Sequence, residues 1–193
     1  MHTLSSAFVL GYHGCDTAVA EKLLAGGDFA VSTNDYDWLG DGVYFWEANP
    51  RRGLDYAQEL AGLKRGPKIN QPTVIGAVLD LGLCLDLTTS AGLNQVRVAY
   101  SRLRDIHVVA EIKLPENSPD NLRRNLDCAV IGLLHTMREN ENLPRIDSVK
   151  GIFVEGSPIY PGAGFHDKTH SQICVRNADC IKGVFRVPNR FIR

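Results

Sequence analysis

Two short segments of the chain carry residue types suited to gripping a flat, polar ligand. The first, Tyr12-His13-Gly14-Cys15, follows an apolar run. A glycine at a strand end lets backbone approach a ligand closely, and its bare N–H and C=O complement a carboxamide. The neighbouring histidine can hydrogen-bond a sugar hydroxyl. The second segment, Ser32 to Glu47, sets Tyr36, Trp38, Tyr44, Phe45 and Trp46 among Asn34, Asp35, Asp37, Gly40, Asp41 and Gly42. Ring faces supply stacking, and the polar groups beside them fix orientation. On a strand facing a cleft, Tyr44 would form the floor of such a site. Tyr56, on the helix that follows, would be the opposite wall. Taken singly, each residue also fits a bland role: His13-Gly14 a turn beside a satisfied histidine, Tyr44 a core ring between Val43 and Phe45.

The elements that must position these residues are legible from pattern. Residues 7–13 read as a buried strand ending at Gly14, and Asp16 as the cap of a helix to about Ala25, stopped by Gly26-Gly27. A strand is expected over 42–46, and Asn49-Pro50 opens a helix to about Lys64. A basic, turn-rich connector over 64–72 leads to a central strand at 73–80 and a short one at 84–86. Helices are expected at 91–103 and, from Pro119, through Leu122, Leu126, Val130, Leu133 and Met137. Strands at 149–155, 171–176 and 180–187 complete the set. Strands and helices without regular βαβ alternation predict an α+β fold, two mostly antiparallel sheets with flanking helices.

With 193 residues, the chain is expected to form one domain over 1–193. A net charge of −1 removes any overall basic field for nucleic acid, although Arg51, Arg52, Lys64, Arg65 and Lys68 could make one local basic face. The five cysteines are scattered without a CxxC pair, and Met1–Ser6 lacks a leader pattern, so the expected location is cytoplasmic. No apolar run is long enough to span a membrane. The six histidines lack ligand spacing, so no metal site is expected. Neither a P-loop nor a GxGxxG turn is present.

Tyr12-His13-Gly14, a loop bearing Ser32, Gly42-Val43-Tyr44-Phe45, a helix with Tyr56 and a strand entered from a long loop together resemble the ADP-ribosyltransferases. The resemblance is to the diphtheria-toxin/poly(ADP-ribose)-polymerase branch, whose triad is His-Tyr-Glu. It implies a split β-sandwich and NAD as co-substrate. The triad falls on His13, Tyr44 and Gln172, and the NAD-binding set on Tyr12, His13, Gly14, Ser32, Gly42, Tyr44 and Tyr56. Nicotinamide would lie between Tyr44 and Tyr56, its carboxamide on the Gly14 backbone, with His13 and Gln172 on the two riboses. Two positions depart from the pattern. Gly53 stands near the family's serine, with Ser32 as a substitute hydroxyl. Gln172 stands where glutamate is frequent, and an amide neither carries negative charge nor accepts a proton as a base. Glu155, Asp167 and Glu47 are the carboxylates that could compensate.

The implied activity is mono-ADP-ribosyl transfer from NAD to a macromolecular acceptor, nucleic acid or protein, met by the loop 155–168. The implied setting is a prokaryotic toxin or phage-defence effector, with an antitoxin protein as possible partner. Three rivals stand beside it. One is an inactive NAD- or ADP-ribose-binding module. Another is an RNA 2′-phosphotransferase-like enzyme, which uses an Arg-His-His-Arg set and against which Tyr44 speaks. The third is a plain protein-interaction domain.

Overall fold

The computed structural model describes residues 8–63 and 69–193; most of the basic connector, with Lys64, Arg65 and Lys68, lies outside them. The elements run β1 (Val9–Asp16), α1 (Thr17–Leu24), β2 (Val43–Glu47), α2 (Pro50–Ala61), β3 (Pro72–Leu79), β4 (Cys84–Asp86), α3 (Ser90–Val109), α4 (Asn125–Asn140), β5 (Ser148–Phe153), β6 (His170–Val175) and β7 (Ile181–Arg186). Three helices start on side-chain caps. Asp16 accepts from Ala18 N at 2.9 Å, Asn49 from Arg52 N at 3.0 Å and Thr89 from Gly92 N at 3.1 Å. Each such cap is worth about 1 kcal/mol. Asp16 also accepts from the amides of Asn70 and Gln71, tying the entry of β3 to the end of β1.

The strands form one mixed seven-stranded sheet in the order β4-β5-β6-β2-β1-β3-β7, antiparallel except for the parallel β4–β5 pair. The α+β class is as expected, but the two separate sheets are not: Gly11↔Glu47 and Tyr12↔Trp46 join them into one. The joint is narrow. On its other side β1 pairs with β3 along its whole length, from Val9↔Leu79 to Asp16↔Pro72. That pairing also carries β1 past Gly14, where the sequence predicted its end.

α3 and α4 cover the β4–β5–β6 half of the sheet over Leu39, Leu85, Ala99, Leu103, Ile131, Leu134 and Val149. Phe45, Leu79, Ile173 and Val175 form a second cluster, and Cys15, Ala20, Leu23 and Ile75 a third beneath α1. Two helix boundaries differ from expectation. α3 continues to Val109, and its last turns expose Ile106, Val108 and Val109, so no apolar stripe announces them. α4 begins at Asn125, because 117–124 is a turn closed by an Asn117↔Arg124 bridge with Asn121 at φ 54°. Among the described residues, no helix is long and apolar enough to cross a membrane.

Candidate functional site

A cleft of about 670 Å³ opens where β1 and β2 part, within the range of small-molecule sites. The Ala48 amide donates to Leu10 O at 2.9 Å, which makes Leu10 opposite Ala48 a hydrogen-bonded pair. By the alternation of an antiparallel ladder, Tyr12 and Gly14 then turn their amides toward β2. A continued register would bring Gly14 opposite Tyr44. Instead the His13 ring takes the Tyr44 carbonyl through Nδ1 at 2.9 Å. A carbonyl only accepts, so Nδ1 carries the proton and Nε2 keeps a lone pair. Burial holds the His13 pKa below its ordinary value, against the opposing pull of the Tyr44 carbonyl. The ring packs edge-on to Phe29 at 5.5 Å.

Gly14 lines the cleft, but packing alone demands a glycine there: a Cβ would collide with the Gly53 carbonyl of α2. Gly53 is less confined: its own Cβ would stand 3.1 Å from Val74 Cγ2, a side-chain methyl.

Tyr44 lines the cleft, and its hydroxyl is fully engaged. It donates to Gly40 O at 2.8 Å and accepts from Leu39 N at 3.1 Å. Burial, then the neighbouring Cys174 and Asp37, push its pKa far up, so it stays a neutral phenol. Gly42 is required where it sits, because a side chain would strike Cys174 Sγ. Ser32 pairs with Gly42 and lines the cleft, yet its hydroxyl donates to Asp37 at 2.7 Å and accepts from Asn34 at 2.9 Å. It organises the loop rather than offering a free hydroxyl.

Gln172 enters the cleft from β6, opposite Trp46. Its amide oxygen accepts from Trp38 Nε1 at 2.6 Å. An indole N–H can only donate, so this bond fixes the amide: oxygen toward Trp38, NH₂ left for a ligand. Gln172 thus presents donors. Tyr56 lines the cleft from α2 and rests on Trp46, ring centroids 4.8 Å apart.

Of the expected residues, Tyr12 is the exception. It does not line the cleft but packs against Phe185 of β7, at 6.3 Å between ring centroids. Among the compensating carboxylates, Glu155 lines the cleft, whereas Glu47 is bound away from it by Lys150 at 2.7 Å and Ser171 at 2.6 Å. Asp167 caps its own loop through Ser157 N, its carboxylate again outside the cleft.

Sequence reasoning did not place Arg52 or His170 in the cleft. Arg52 is only 6% exposed; its Nη2 bonds Glu155 at 2.9 Å and reaches Glu59 at 3.4 Å. Its Nε and Nη1 have no partner among the described residues. Buried His170 stacks on Phe153 at 5.5 Å and gives Nδ1–H to Lys168 O at 2.7 Å, leaving Nε2 unpartnered. Burial lowers its pKa as well, so that Nε2 is an acceptor. Trp46 Nε1–H is likewise buried without a partner. Buried polar groups in native proteins are nearly always satisfied, so orphans around one cleft mark a place for a polar ligand. Nothing in the Arg51-Arg52 pair tells which arginine turns inward; only burial separates them.

The loop after β5 is an ordered hairpin, with a Pro158↔His166 bridge and Ile159 N donating to Phe165 O at 3.0 Å. It carries exposed Ile159, Tyr160 and Phe165. Among the described residues, no three of His, Cys, Asp and Glu gather to hold a metal ion.

No family model matches the chain. It is similar to the uncharacterized protein MJ0359 of Methanocaldococcus jannaschii, with 47% identity over 192 residues covering 89% of this chain and 83% of that protein. At that identity and coverage, the chain belongs to the family of this archaeal protein.

Proposed function

We propose that the chain is a mono-ADP-ribosyltransferase, its sheet a split sandwich whose two halves stay joined by the narrow β1–β2 pairing, moving ADP-ribose from NAD to a protein or nucleic-acid acceptor. The observation that carries this reading is the parting of β1 and β2, with His13, Tyr44 and Gln172 on one cleft. The residues present fit the ligand. Tyr44, Trp46 and Tyr56 offer ring faces, Gly14 turns its amide toward the opening, and Arg52 has free N–H donors for an anionic group. NAD supplies a glycosidic bond already activated by its nicotinamide leaving group.

The protein's part is holding and orienting. His13 Nε2 accepts from a ribose hydroxyl, and the Gln172 amide donates to an oxygen of the other ribose. The rings hold the leaving base in line, which is worth several kcal/mol as orientation. No carboxylate lining the cleft is free: Asp37 is bonded to Ser32, and Glu59 and Glu155 to Arg52. Single transfer through a dissociative, oxocarbenium-like route suits such a neutral wall better than chain elongation. The neutral amide also favours one second reading, a module that binds NAD without cleaving it.

Mass spectrometry of lysate protein and RNA after incubation with NAD tests both, comparing wild type with Tyr44→Ala and Tyr56→Ala. A gain of ADP-ribose on either polymer that both variants lose supports transfer. Binding of NAD, read as a raised Tm, with no mass gain and no nicotinamide release supports the module. Neither binding nor mass gain removes both readings.

A further inference from the structure

A second cavity, of about 380 Å³, lies at the ends of β5 and β6 opposite to Phe153 and His170, which line the cleft. It is lined by the end of α4, the turn before β5 and the residues just after β6: His135, Arg138, Arg145, Ile146, Asp147 and Arg176, with Glu139 and Asn177 at the margin. Its electrostatics are unbalanced. Arg138 and Arg176 are half-buried, yet neither forms an ion pair among the described residues. Arg138 gives its Nε and Nη2 to the Pro144 carbonyl at 3.2 and 2.9 Å and its Nη1 to Gln95 at 3.4 Å, all neutral acceptors. Arg145 reaches Glu139 only at 3.5 Å, and both are exposed.

The other carboxylate, Asp147, is already engaged by Leu83 N at 2.8 Å and Asn177 Nδ2 at 2.8 Å. His135, 8% exposed, adds a ring whose Nε2 has no partner. That atom and Arg176 Nη1 lie 3.9 and 3.8 Å from where a Gly40 side chain would begin. Burial first, and then the Arg176 and Arg138 charges close by, lower the His135 pKa to about 4.

Half-buried guanidiniums without a carboxylate are costly unless an anion joins them, and their planar forks match phosphate oxygens two at a time. We propose that this cavity is a second ligand site, distinct from the cleft, which binds a diphosphate group between Arg138, Arg145 and Arg176. It does not depend on the transferase reading.

The test is a titration of inorganic pyrophosphate into the full chain, followed by NMR of the histidine rings. The His135 signal is expected to shift saturably in wild type and in the cleft-side variant Lys168→Gln. The affinity is expected to fall about tenfold or more in Arg176→Gln and in Arg138→Gln, and less in Arg145→Gln. Because Arg138 also holds the Pro144 turn, Arg176→Gln and Arg145→Gln decide the matter if Arg138→Gln does not fold. A matching His135 shift with ADP assigns the diphosphate to a nucleotide, and a shift with pyrophosphate alone to the free anion; either supports the site. A His135 signal that does not move at millimolar pyrophosphate, or moves with unchanged affinity in Arg176→Gln and Arg145→Gln, overturns it.

Discussion

The two flanks of β1 use the same eight residues in opposite ways. Toward β3 every residue from Val9 to Asp16 finds a register partner, and Phe185 of β7 seals the outside. Toward β2 the ladder stops at Tyr12↔Trp46, and a cleft begins one residue later. The closed flank is built from small residues under large ones, with Gly76 beneath the Phe185 ring. The open flank instead holds a histidine, ring faces and a buried cation, Arg52. Packing thus takes one side of the strand and the proposed binding site the other, and substitutions should separate them.

The largest effect is expected at Arg52. Arg52→Met leaves Glu155 half-enclosed without its cation and should cost about 3–5 kcal/mol in urea unfolding. A loss below about 1 kcal/mol would show that the pair is not a buried one and would weaken the contrast. On the closed flank, Gly76→Ala drives a methyl into the Phe185 ring and should cost about 1–3 kcal/mol, while the rise in Tm that the proposed function predicts with NAD should stay intact. Gln172→Leu removes the acceptor of the Trp38 indole and should cost about 1–2 kcal/mol, and it should also abolish that NAD effect. Equal damage to NAD binding by both variants would erase the distinction between flanks.

The smallest effect is in pH. The folded pKa of His13 is lowered, so below its ordinary value the unfolded chain binds a proton that the folded chain does not. His13 therefore withdraws stability as pH falls below about 6.5, by at most about 1.4 kcal/mol per pH unit. His13→Asn should flatten the measured dependence of unfolding free energy on pH in that range. An unchanged slope would mean that the ring is not held neutral. His135 and His170 shift the same way, so only the difference between wild type and variant isolates His13.

Much of the fold was legible because its signals are local. Asp16 and Asn49-Pro50 are caps that act within one turn, and the apolar runs of β3 and β6 need no distant partner to be read. The cleft residues His13, Gly14, Tyr44 and Tyr56 were read from residue type and local pattern, and Gln172 from the family resemblance. What stayed hidden depends on distant geometry. Tyr12 and His13 are adjacent in sequence, and strand alternation turns them to opposite faces of the sheet, Tyr12 onto Phe185 and His13 onto Phe29 beside the cleft. Leu122 fits a helical stripe, yet it lies in a turn and lines the cleft, because Asn117 closes on Arg124. Arg52 and His170 gain their character from burial under other elements, which no window of sequence records. Ser32 has the right type, but Asp37 had already claimed its proton.

The bond from the His13 imidazole to the Tyr44 carbonyl acts as a wedge in a zipper. Two strands with a matching register and no obstacle tend to add rungs, and the next rung here would join Gly14 to Tyr44. Lodging a ring on the carbonyl that this rung needs keeps the seam from running shut. Shortened to alanine, position 13 would leave that carbonyl open to the Gly14 amide. The open seam between β1 and β2 is thus held by one side chain against the natural tendency of its own sheet.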